Sequence, residues 1–428
     1  MMNIFQSVKK CLCGTFCLIL FWGCMSHDEG GSAFIVSPYI KDGYYTDGTL
    51  YFDIDKTEAV LIGSQDRVSS IVVPDGVKIN DVTYPLTKIQ SLGVFDKEAY
   101  SAGEITDNSN LKSVTFGGNV STFVKGANGD EVLFKVNPAD KKDKTRRFTK
   151  LTTIVVRNGN QTFNSREDCN ALIQNGKEIL ILGGENSSVP AGVQEIGPAA
   201  FRGCETLTRI SIPDALTTIG DYAFESCYIV AFQLHSGITS IGDYAFANNH
   251  LAKINIPSGV TNLNATVFRG NPLDSITVDA ENLSFDSRED CNAVVVKFSN
   301  EIVFGCKNTT FPVSITAIGD EAFSNCLGMS RADVPANVTY IGKKAFYNCT
   351  ALSNVVVYAK NVTIADGAFK NCDKLKGNNA SVKLYVTNPS KLNPTDIFDT
   401  GLRKLFIPEG SKNAYQGWEQ VFKSIQEF

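Results

Sequence analysis

The stretch IGPAAFRGCETLTRISIP, residues 196–213, decides the fold because its first six letters recur along the chain. Strict and relaxed copies of the pattern Ile-Gly-x-x-Ala-Phe end at Phe201, Phe224, Phe246, Phe268, Phe323, Phe346 and Phe369. Most neighbouring copies follow at one nearly constant period, and a single long gap separates Phe268 from Phe323. A fixed period of this length predicts stacked supersecondary units, each of which contacts only its neighbours.

One position of the repeat holds a small side chain that can form hydrogen bonds. Three residues after each phenylalanine, the chain carries Cys204, Cys227, Asn249, Asn271, Cys326, Cys349 or Cys372. A thiol or an amide can satisfy backbone groups at a bend of the chain. We therefore expect this side chain to turn inward.

A longer internal repeat accounts for the gap between Phe268 and Phe323. FNSREDCNA at 163–171 returns as FDSREDCNA at 285–293, and the same offset relates 151–215 to 273–337. A block of several repeats has therefore been duplicated. Within each copy, residues 170–182 or 292–304 contain two short apolar runs around a polar turn, which predicts a hairpin.

The combined pattern, IGxxAFxxCxxLxxIxIP with SREDCNA units between the repeats, resembles the BspA-like leucine-rich repeat family of bacterial surface proteins. The resemblance extends over about residues 85–428. It implies a β-rich, right-handed solenoid of 22–23-residue coils with a parallel sheet on its concave side. It also implies a role in binding or adhesion and not in catalysis.

The N-terminus predicts export. Lys9 and Lys10 precede the apolar run Cys11–Gly23, which at about 13 residues is too short to span a bilayer and reads as part of a signal peptide, residues 1–23. The end of this run resembles a bacterial lipobox, with Phe21 where leucine is usual, so Cys24 is the expected lipidation site. The alternative is an ordinary signal peptide cleaved near residue 26.

The segment after Cys24 bears on the location. His27-Asp28-Glu29 resembles the acidic tether of surface lipoproteins in Gram-negative bacteria. We therefore expect a flexible tether over 24–37 and a protein anchored by lipid at the outer membrane and exposed on the cell surface.

Both ends of the repeat region carry expected caps, which protect the terminal edges of a repeat array. Short alternating runs, each expected to form one strand and including 77–84, predict an N-terminal β cap over 38–92, followed by the repeat region over 93–404. At the other end, Tyr415, Trp418 and Phe422 have near-helical spacing. This spacing predicts a short helical cap within 405–428.

Composition excludes several functions. The chain has 40 Lys and Arg against 45 Asp and Glu, a net charge of -5, so it offers no broad basic surface for nucleic acid. It has only three histidines, and none has a metal-ligand spacing to other residues, so we expect no metal and no cofactor.

The cysteines are expected to be structural. Cys169 and its repeat Cys291 follow two acids, and neighbouring carboxylates oppose thiolate formation, which argues against a nucleophile. Burial of the thiol, with the motif's arginine paired to an acid, is the simpler interpretation. At the ladder position, stacked cysteines could touch, but parallel side-chain directions favour free thiols over disulfides.

The concave sheet supplies the candidate binding residues. If Leu207, Ile210 and Ile212 point inward, the alternating residues of each strand point outward. We expect the following to form the ligand-binding face: Arg209, Ser211, Gln233, Lys253, Asn255, Ser275, Thr277, Arg331, Asp333 and Asn354, with Ala231 and Val356 in the same rows. The rows are polar and poor in aromatic residues, which predicts a contact of modest affinity spread over several coils and not a sugar-stacking platform.

An insertion at 124–150 offers a second candidate site. Its basic residues are Lys141, Lys142, Lys144, Arg146, Arg147 and Lys150. A loop of this charge could bind an anionic glycan or an acidic protein. The alternative is a solvated insertion without a ligand.

The sequence as a whole predicts a non-catalytic, monomeric cell-surface lipoprotein whose repeats bind an extracellular protein or glycan. The competing interpretation is a scaffold that binds a partner in the same envelope.

Overall fold

A computed structural model describes residues 25–27, 33–36, 38–41, 43–101, 110–123 and 150–428. The predictions for the signal peptide, for Cys24 and for the basic insertion up to Arg147 lie outside these residues. Within them, no helix has the length and apolar character needed to cross a bilayer.

The N-terminal part is a mixed β-sheet. Its region contains the strands β1 Met25–His27, β2 Ala33–Val36, β3 Tyr39–Lys41, β4 Tyr44–Thr46, β5 Leu50–Asp55, β6 Glu58–Ser64, β7 Ser70–Val72, β8 Gly76–Ile79 and β9 Val82–Ile89. The order in the sheet is β1-β2-β8-β9-β6-β5-β4-β3. Leu50, Phe52 and Leu61 fill its core because alternate residues of β5 and β6 face inward.

Two details of this sheet differ from the sequence predictions. The expected tether includes β1 and β2, and β2 pairs in parallel with β8, so burial of Ile35 orders that part of the chain. The run 77–84, expected to be one strand, is divided into β8 and β9 by a turn. Asn80 and Asp81 form that turn at φ 47° and 65°, a left-handed conformation that Asn and Asp tolerate best among residues with side chains.

The repeats begin with a parallel ladder. The next elements are the helix α1 Lys97–Ser101 and the strands β10 Ser113–Phe116, β11 Thr122–Phe123 and β12 Thr153–Val156. β10 lies between β7 and β12 and pairs in parallel with both. β11 joins the N-terminal sheet through β9, so the sheet and the repeats are directly connected.

Residues 163–241, which begin in the first copy of the duplicated block, form a third sheet. Its strands are β13 Phe163–Asn164, β14 Ala171–Gln174, β15 Ile179–Gly183, β16 Glu195–Ile196, β17 Thr218–Ile219 and β18 Ser240–Ile241. β14 and β15 pair antiparallel, which confirms the predicted hairpin. From β15 onward the pairing is parallel, and each short strand pairs with its equivalent one repeat later, Glu195 with Thr218 and Thr218 with Ser240.

The second copy repeats this arrangement and continues to the C-terminus. Its region contains β19 Lys253–Ile256, β20 Ser275–Val278, β21 Phe285–Asp286, β22 Ala293–Val296, β23 Glu301–Gly305, β24 Ala317–Ile318, β25 Arg331–Val334, β26 Tyr340–Ile341, β27 Asn354–Val357, β28 Thr363–Ile364, β29 Ser381–Leu384, β30 Leu402–Ile407 and β31 Phe422–Glu427. The narrow strands β24, β26 and β28 extend the hairpin β22–β23. The longer strands outside the hairpin, called the wide strands below, form two ladders, β19–β20 and β25–β27–β29–β30–β31.

The repeat phenylalanines form a column through the core. Phe201 and Phe224 stack with ring centroids 5.1 Å apart, and Phe346 and Phe369 stack at 4.9 Å. The spacing follows the separation of neighbouring strands, about 4.8 Å. The fixed period thus places one buried ring directly above the next.

The C-terminal segment forms turns and a strand where a helical cap was expected. Two 3₁₀ turns, Lys412–Tyr415 and Trp418–Gln420, are followed by β31, which pairs in parallel with β30. Tyr415, Trp418 and Phe422 are buried, as their spacing predicted. They reach the core from tight turns and a strand. Pairing with β30 gives the backbone N–H and C=O groups of β31 the hydrogen-bond partners that they would find within the segment if it were a helix. The remaining short helices are α2 Pro394–Ile397 and the 3₁₀ turns Arg166–Asp168, Arg288–Asp290 and Asp373–Lys376.

Candidate ligand-binding face

The wide strands present polar residues to solvent on one face. In β19, Lys253 and Asn255 are exposed while Ile254 and Ile256 are buried. β20 lies beside it, with Lys253 opposite Ser275 and Asn255 opposite Thr277. The structure therefore brings these four predicted residues together. We call the outward side of the wide strands the ladder face.

Polar side chains on this part of the ladder face bond to one another. Thr277 Oγ1 donates to Asn255 Oδ1 at 2.8 Å, and Asn255 Nδ2 donates to Asp279 Oδ1 at 2.7 Å. The bonds run across the strands and hold the amide in one orientation. A ligand would therefore meet a preorganised row of donors and acceptors.

The second part of the ladder face lies on β25 and β27. Arg331 stands opposite Asn354, and Asp333 stands opposite Val356. Arg331 Nε donates to Asp333 Oδ2 at 2.5 Å, and this hydrogen bond is the main reason why the pKa of Arg331 lies above its ordinary value. Val356, expected to point outward with the polar residues, is only 9% exposed. The outward row is thus less polar here than its sequence pattern suggested.

The predicted row is not one continuous sheet. Arg209, Ser211 and Gln233 are exposed, but residues 207–212 and 229–234 form no strand. A second interruption follows β20, because the ladders β19–β20 and β25–β27–β29–β30–β31 are separate and β20 contacts β21 and β22 of the second hairpin unit. The ten predicted residues therefore fall into three groups.

Of the six predicted cations of the basic insertion, the structure describes one, Lys150. Lys150 is exposed at the start of the coil that leads into β12. The other five cations of the predicted loop lie outside the described residues.

The sequence pattern did not predict the exposed and half-buried aromatic residues at the C-terminal end of the ladder face. Tyr358, Tyr385 and Phe428 follow β27, β29 and β31, and the first two ring centroids are 5.1 Å apart. Phe406 takes the position in β30 opposite Lys383 in β29. The motif Leu-Phe-Ile-Pro at 405–408, read against Ile-Ser-Ile-Pro at 210–213, could have revealed this row. The row was not predicted because the last residues were expected to form a helix and not a strand.

The motif that contains Cys169 is a structural corner. Arg166 forms an ion pair with Glu178 at 2.5 Å, while Arg288 in the second copy pairs with Asp286 at 2.9 Å. Burial raises the pKa of the Cys169 thiol above its usual value. A protonated thiol is a weak nucleophile, so the arrangement supports no nucleophilic chemistry.

Asparagine in the same motif holds the preceding strand. Asn292 Oδ1 accepts a hydrogen bond of 2.8 Å from the Ile276 N–H, and its Nδ2 donates to the Asp274 carbonyl. Asn170 makes the equivalent bonds in the first copy. The motif is therefore repeated because it joins each hairpin to the strand before it.

The cysteines of the repeat are buried hydrogen-bond donors. Cys227 Sγ donates to the Phe201 carbonyl at 3.0 Å, and Cys349 Sγ to the Phe323 carbonyl at 3.1 Å, which confirms the inward position predicted for this side chain. The eight described cysteines are free thiols. Burial raises the pKa of Cys204 to about 12. Among the described residues, no group of three or more His, Cys, Asp or Glu side chains is arranged to hold a metal ion.

Comparison with known proteins identifies the repeat. A family model described as the BspA type leucine-rich repeat region matches residues 184–294 and 291–389 in six copies. Residues 184–389 of this chain therefore belong to the BspA-type leucine-rich repeat family, as the sequence motif predicted. No curated protein sequence matches the chain significantly.

Solved structures align with this chain at low sequence identity. A leucine-rich cell surface protein from Faecalibacterium prausnitzii A2-165 aligns at a TM-score of 0.50 and 17% identity, over 91% of this chain and 95% of that one. A leucine-rich repeat protein from Bacteroides ovatus ATCC 8483 aligns at a TM-score of 0.40 and 18% identity, over 91% and 90%. The first likeness supports a β-rich leucine-rich-repeat fold for this chain.

Proposed function

We propose that the protein is a non-catalytic binding protein whose ladder face takes an extracellular protein or glycan as ligand. The observation that carries the proposal is the alternation in β19 and β20, which buries Ile254 and Ile276 and leaves Lys253, Asn255 and Thr277 exposed. These exposed polar side chains do not contribute to core packing. They suit recognition through many small contacts.

The overall shape and division of the chain belong to the same proposal. We take the stacked repeats to wind as a right-handed solenoid over 93–404 with the ladder face on its concave side, between an N-terminal β cap over 38–92 and a C-terminal cap over 405–428. The parallel pairing of Glu195 with Thr218 and of Thr218 with Ser240, each one repeat further along the chain, supports this winding.

The proposed location is the outer surface of a Gram-negative cell. The signal peptide predicted over 1–23, the lipidation expected at Cys24 and the acidic segment after it support this placement. The name of the Faecalibacterium protein, a cell surface protein, agrees with it. Protease treatment of intact cells tests the location, since a surface protein is digested and a scaffold facing the periplasm is protected.

Binding of the purified full-length protein to an array of glycans and extracellular proteins tests the function. The decisive variant carries Arg209→Glu and Lys253→Glu, two charge reversals at exposed residues predicted to bind the ligand, of which Lys253 lies on the ladder face. Lys177→Glu is the control, because it makes the same charge change at an exposed turn of the first hairpin. We expect the double variant to lose binding and the control to keep it.

Other outcomes separate the alternatives. Loss of binding only when the six cations at 141–150 are replaced would move the site to the basic insertion. Absence of binding to every arrayed ligand, together with protection from protease on intact cells, would favour the scaffold that binds a partner in its own envelope.

A further inference from the structure

The last wide strands carry a different surface from β19 and β20. Along β25, β27, β29, β30 and β31, pairing aligns Asp333, Val356, Lys383, Phe406 and Gln426 in one row. A neighbouring row contains the exposed or half-buried rings that follow these strands, Tyr358, Tyr385 and Phe428. We call this area the aromatic face. It combines ring surfaces with cations, whereas β19 and β20 expose mainly amides and hydroxyls.

The rings are close to one another and accessible. Tyr385 lies 5.1 Å from Tyr358 and 4.9 Å from Phe428, measured between ring centroids. Tyr358 is 40% exposed and Phe428 is 41% exposed. Aromatic side chains of this size are usually buried. A row of three half-exposed rings at the end of a sheet is therefore a candidate contact surface.

The cations of the aromatic face lack carboxylate partners. Lys383 Nζ lies 3.5 Å from the centroid of the Phe428 ring and 5.2 Å from that of Tyr385. Lys404 is exposed on β30, on the same side as Phe406. Neither lysine forms an ion pair in the part of the chain that the structure describes. The face therefore holds two positive charges that an anionic ligand could neutralise.

Nearby polar groups fit hydroxyl-rich ligands. Ser381 Oγ donates to Asn354 Oδ1 at 3.1 Å, two residues before Lys383 on β29 and at the opposite end of that strand from Tyr385. Hydroxyl and amide groups of this kind exchange hydrogen bonds with sugar hydroxyls, while ring faces cover the apolar C–H side of a pyranose. The neighbouring rings of Tyr358 and Tyr385, inclined to each other by 33°, offer ring faces that suit sugars better than an acidic peptide, whose side chains need pockets for strong binding.

We infer that the aromatic face binds glycans whose pyranose rings bear carboxylates, such as uronic or sialic acids. The inference rests on the proposed binding function and assigns it a ligand class and a position. Tyr358 and Tyr385 would stack on the sugar, and Lys383 and Lys404 would pair with its carboxylates. Because these lysines are at least partly solvated, each ion pair contributes modestly, and added salt weakens it.

The test measures binding of the full chain to matched ligands. The probes are oligogalacturonate and 3′-sialyllactose, with methyl-esterified oligogalacturonate and lactose as their uncharged counterparts, and polyglutamate as an acidic peptide. We expect the acidic sugars to bind more tightly than the uncharged ones, and the difference to shrink in about 0.5 M salt. Polyglutamate binding without sugar binding would overturn the ligand class.

Two sets of variants locate the site. Lys383→Gln combined with Lys404→Gln should weaken binding of the acidic sugars by roughly fivefold and leave the uncharged sugars unaffected. Tyr358→Ala should weaken both. Lys404→Gln alone is the variant least dependent on packing, since its side chain is exposed. Phe298→Ala and Lys177→Gln, an exposed ring and an exposed lysine elsewhere, are the matched controls and should bind as wild type.

The inference and the proposed function can fail separately. Acidic-sugar binding that survives the lysine and tyrosine substitutions would overturn the aromatic face as its site. If such binding is lost instead with Arg209→Glu and Lys253→Glu, the ladder face remains the binding surface and only the inference fails. If no extracellular ligand of any class binds, the proposed function itself fails.

Discussion

The side-chain amide of Asn249 donates a hydrogen bond of 2.7 Å to the carbonyl of Phe224, the core phenylalanine of the preceding repeat. Its Oδ1 accepts a second bond, of 3.0 Å, from the Ile229 N–H. One buried side chain therefore satisfies two backbone groups of a neighbouring repeat. At the equivalent position of the previous repeat, Cys227 makes only the bond to the carbonyl.

Replacement of Asn249 should separate these two bonds. Asn249→Ala leaves the buried Ile229 N–H without a partner and leaves the Phe224 carbonyl only the 3.4 Å bond from the Cys227 N–H, so we expect it to lower the free energy of unfolding by roughly 2 to 4 kcal/mol. Asn249→Cys keeps one donor and should cost about half as much. Urea denaturation measures both. Asn337→Ala, at an exposed asparagine, is the control; equal losses for all three variants would contradict the explanation.

Glycine at the end of the hairpin makes room for the phenylalanine column. A Cβ on Gly183 would lie 2.0 Å from Cε1 of Phe201, and one on Gly305 would lie 2.2 Å from Cε1 of Phe323. Gly183→Ala should therefore displace the ring and lower the free energy of unfolding by about 1 to 3 kcal/mol, as overpacking does. The measurement is the urea midpoint.

Gly118→Ala provides the comparison for this substitution. Its new Cβ would meet no atom closer than 3.4 Å, an ordinary contact with Asp75. We expect a change of less than about 1 kcal/mol. Similar losses at Gly118 and Gly183 would show that the ring contact is not the cause.

Buried thiols should resist alkylation. Burial raises the pKa of Cys204, Cys326 and Cys372 to about 12, so at pH 8 almost none of each thiol is ionised in the folded chain. Iodoacetamide labelling followed by peptide mapping should find these residues modified slowly in the native protein and rapidly in urea. Native labelling as fast as in urea would contradict their burial.

The same shifts predict a loss of stability at high pH. The thiols have a higher pKa in the folded chain than the value of 9.0 for an unperturbed cysteine, so folding favours their protonated form. This contribution is complete below about pH 9 and declines as the pH rises towards 12. The urea midpoint should therefore fall between pH 8 and pH 10.5. A Cys204→Ala variant should lose less stability over that interval than wild type.

Divergence between the duplicated blocks predicts a difference in self-association. Leu283 and Phe298, 88% and 98% exposed around the second hairpin, stand where the first copy has Gln161 and Gly176. Leu283→Gln with Phe298→Ser should leave the urea midpoint unchanged, because neither side chain packs in the core. The variant should bind less of a hydrophobic dye and scatter less light when concentrated. A lower midpoint would show that these side chains contribute to folding.

Much of the fold could be predicted from the chain alone, because a stacked repeat makes long-range contacts periodic. The spacing of Phe201, Phe224 and Phe246 predicts which residues share the core. The constant offset between the duplicated blocks predicts that both hairpins form, and the structure contains them as β14–β15 and β22–β23. In such a chain, a residue's neighbours lie one period away in sequence, so local pattern and tertiary contact carry the same information.

The tertiary structure alone decided where the period fails. Near-helical spacing of Tyr415, Trp418 and Phe422 predicted a helix, yet β30 offers an edge whose backbone groups must be paired, and the segment forms β31 against it. The row of predicted ligand-binding residues is divided where residues 207–212 and 229–234 form no strand and where the second hairpin unit follows β20. The rings of Tyr358, Tyr385 and Phe428 meet because strand pairing aligns them across sequence separations that are longer than the repeat period and that the period does not specify.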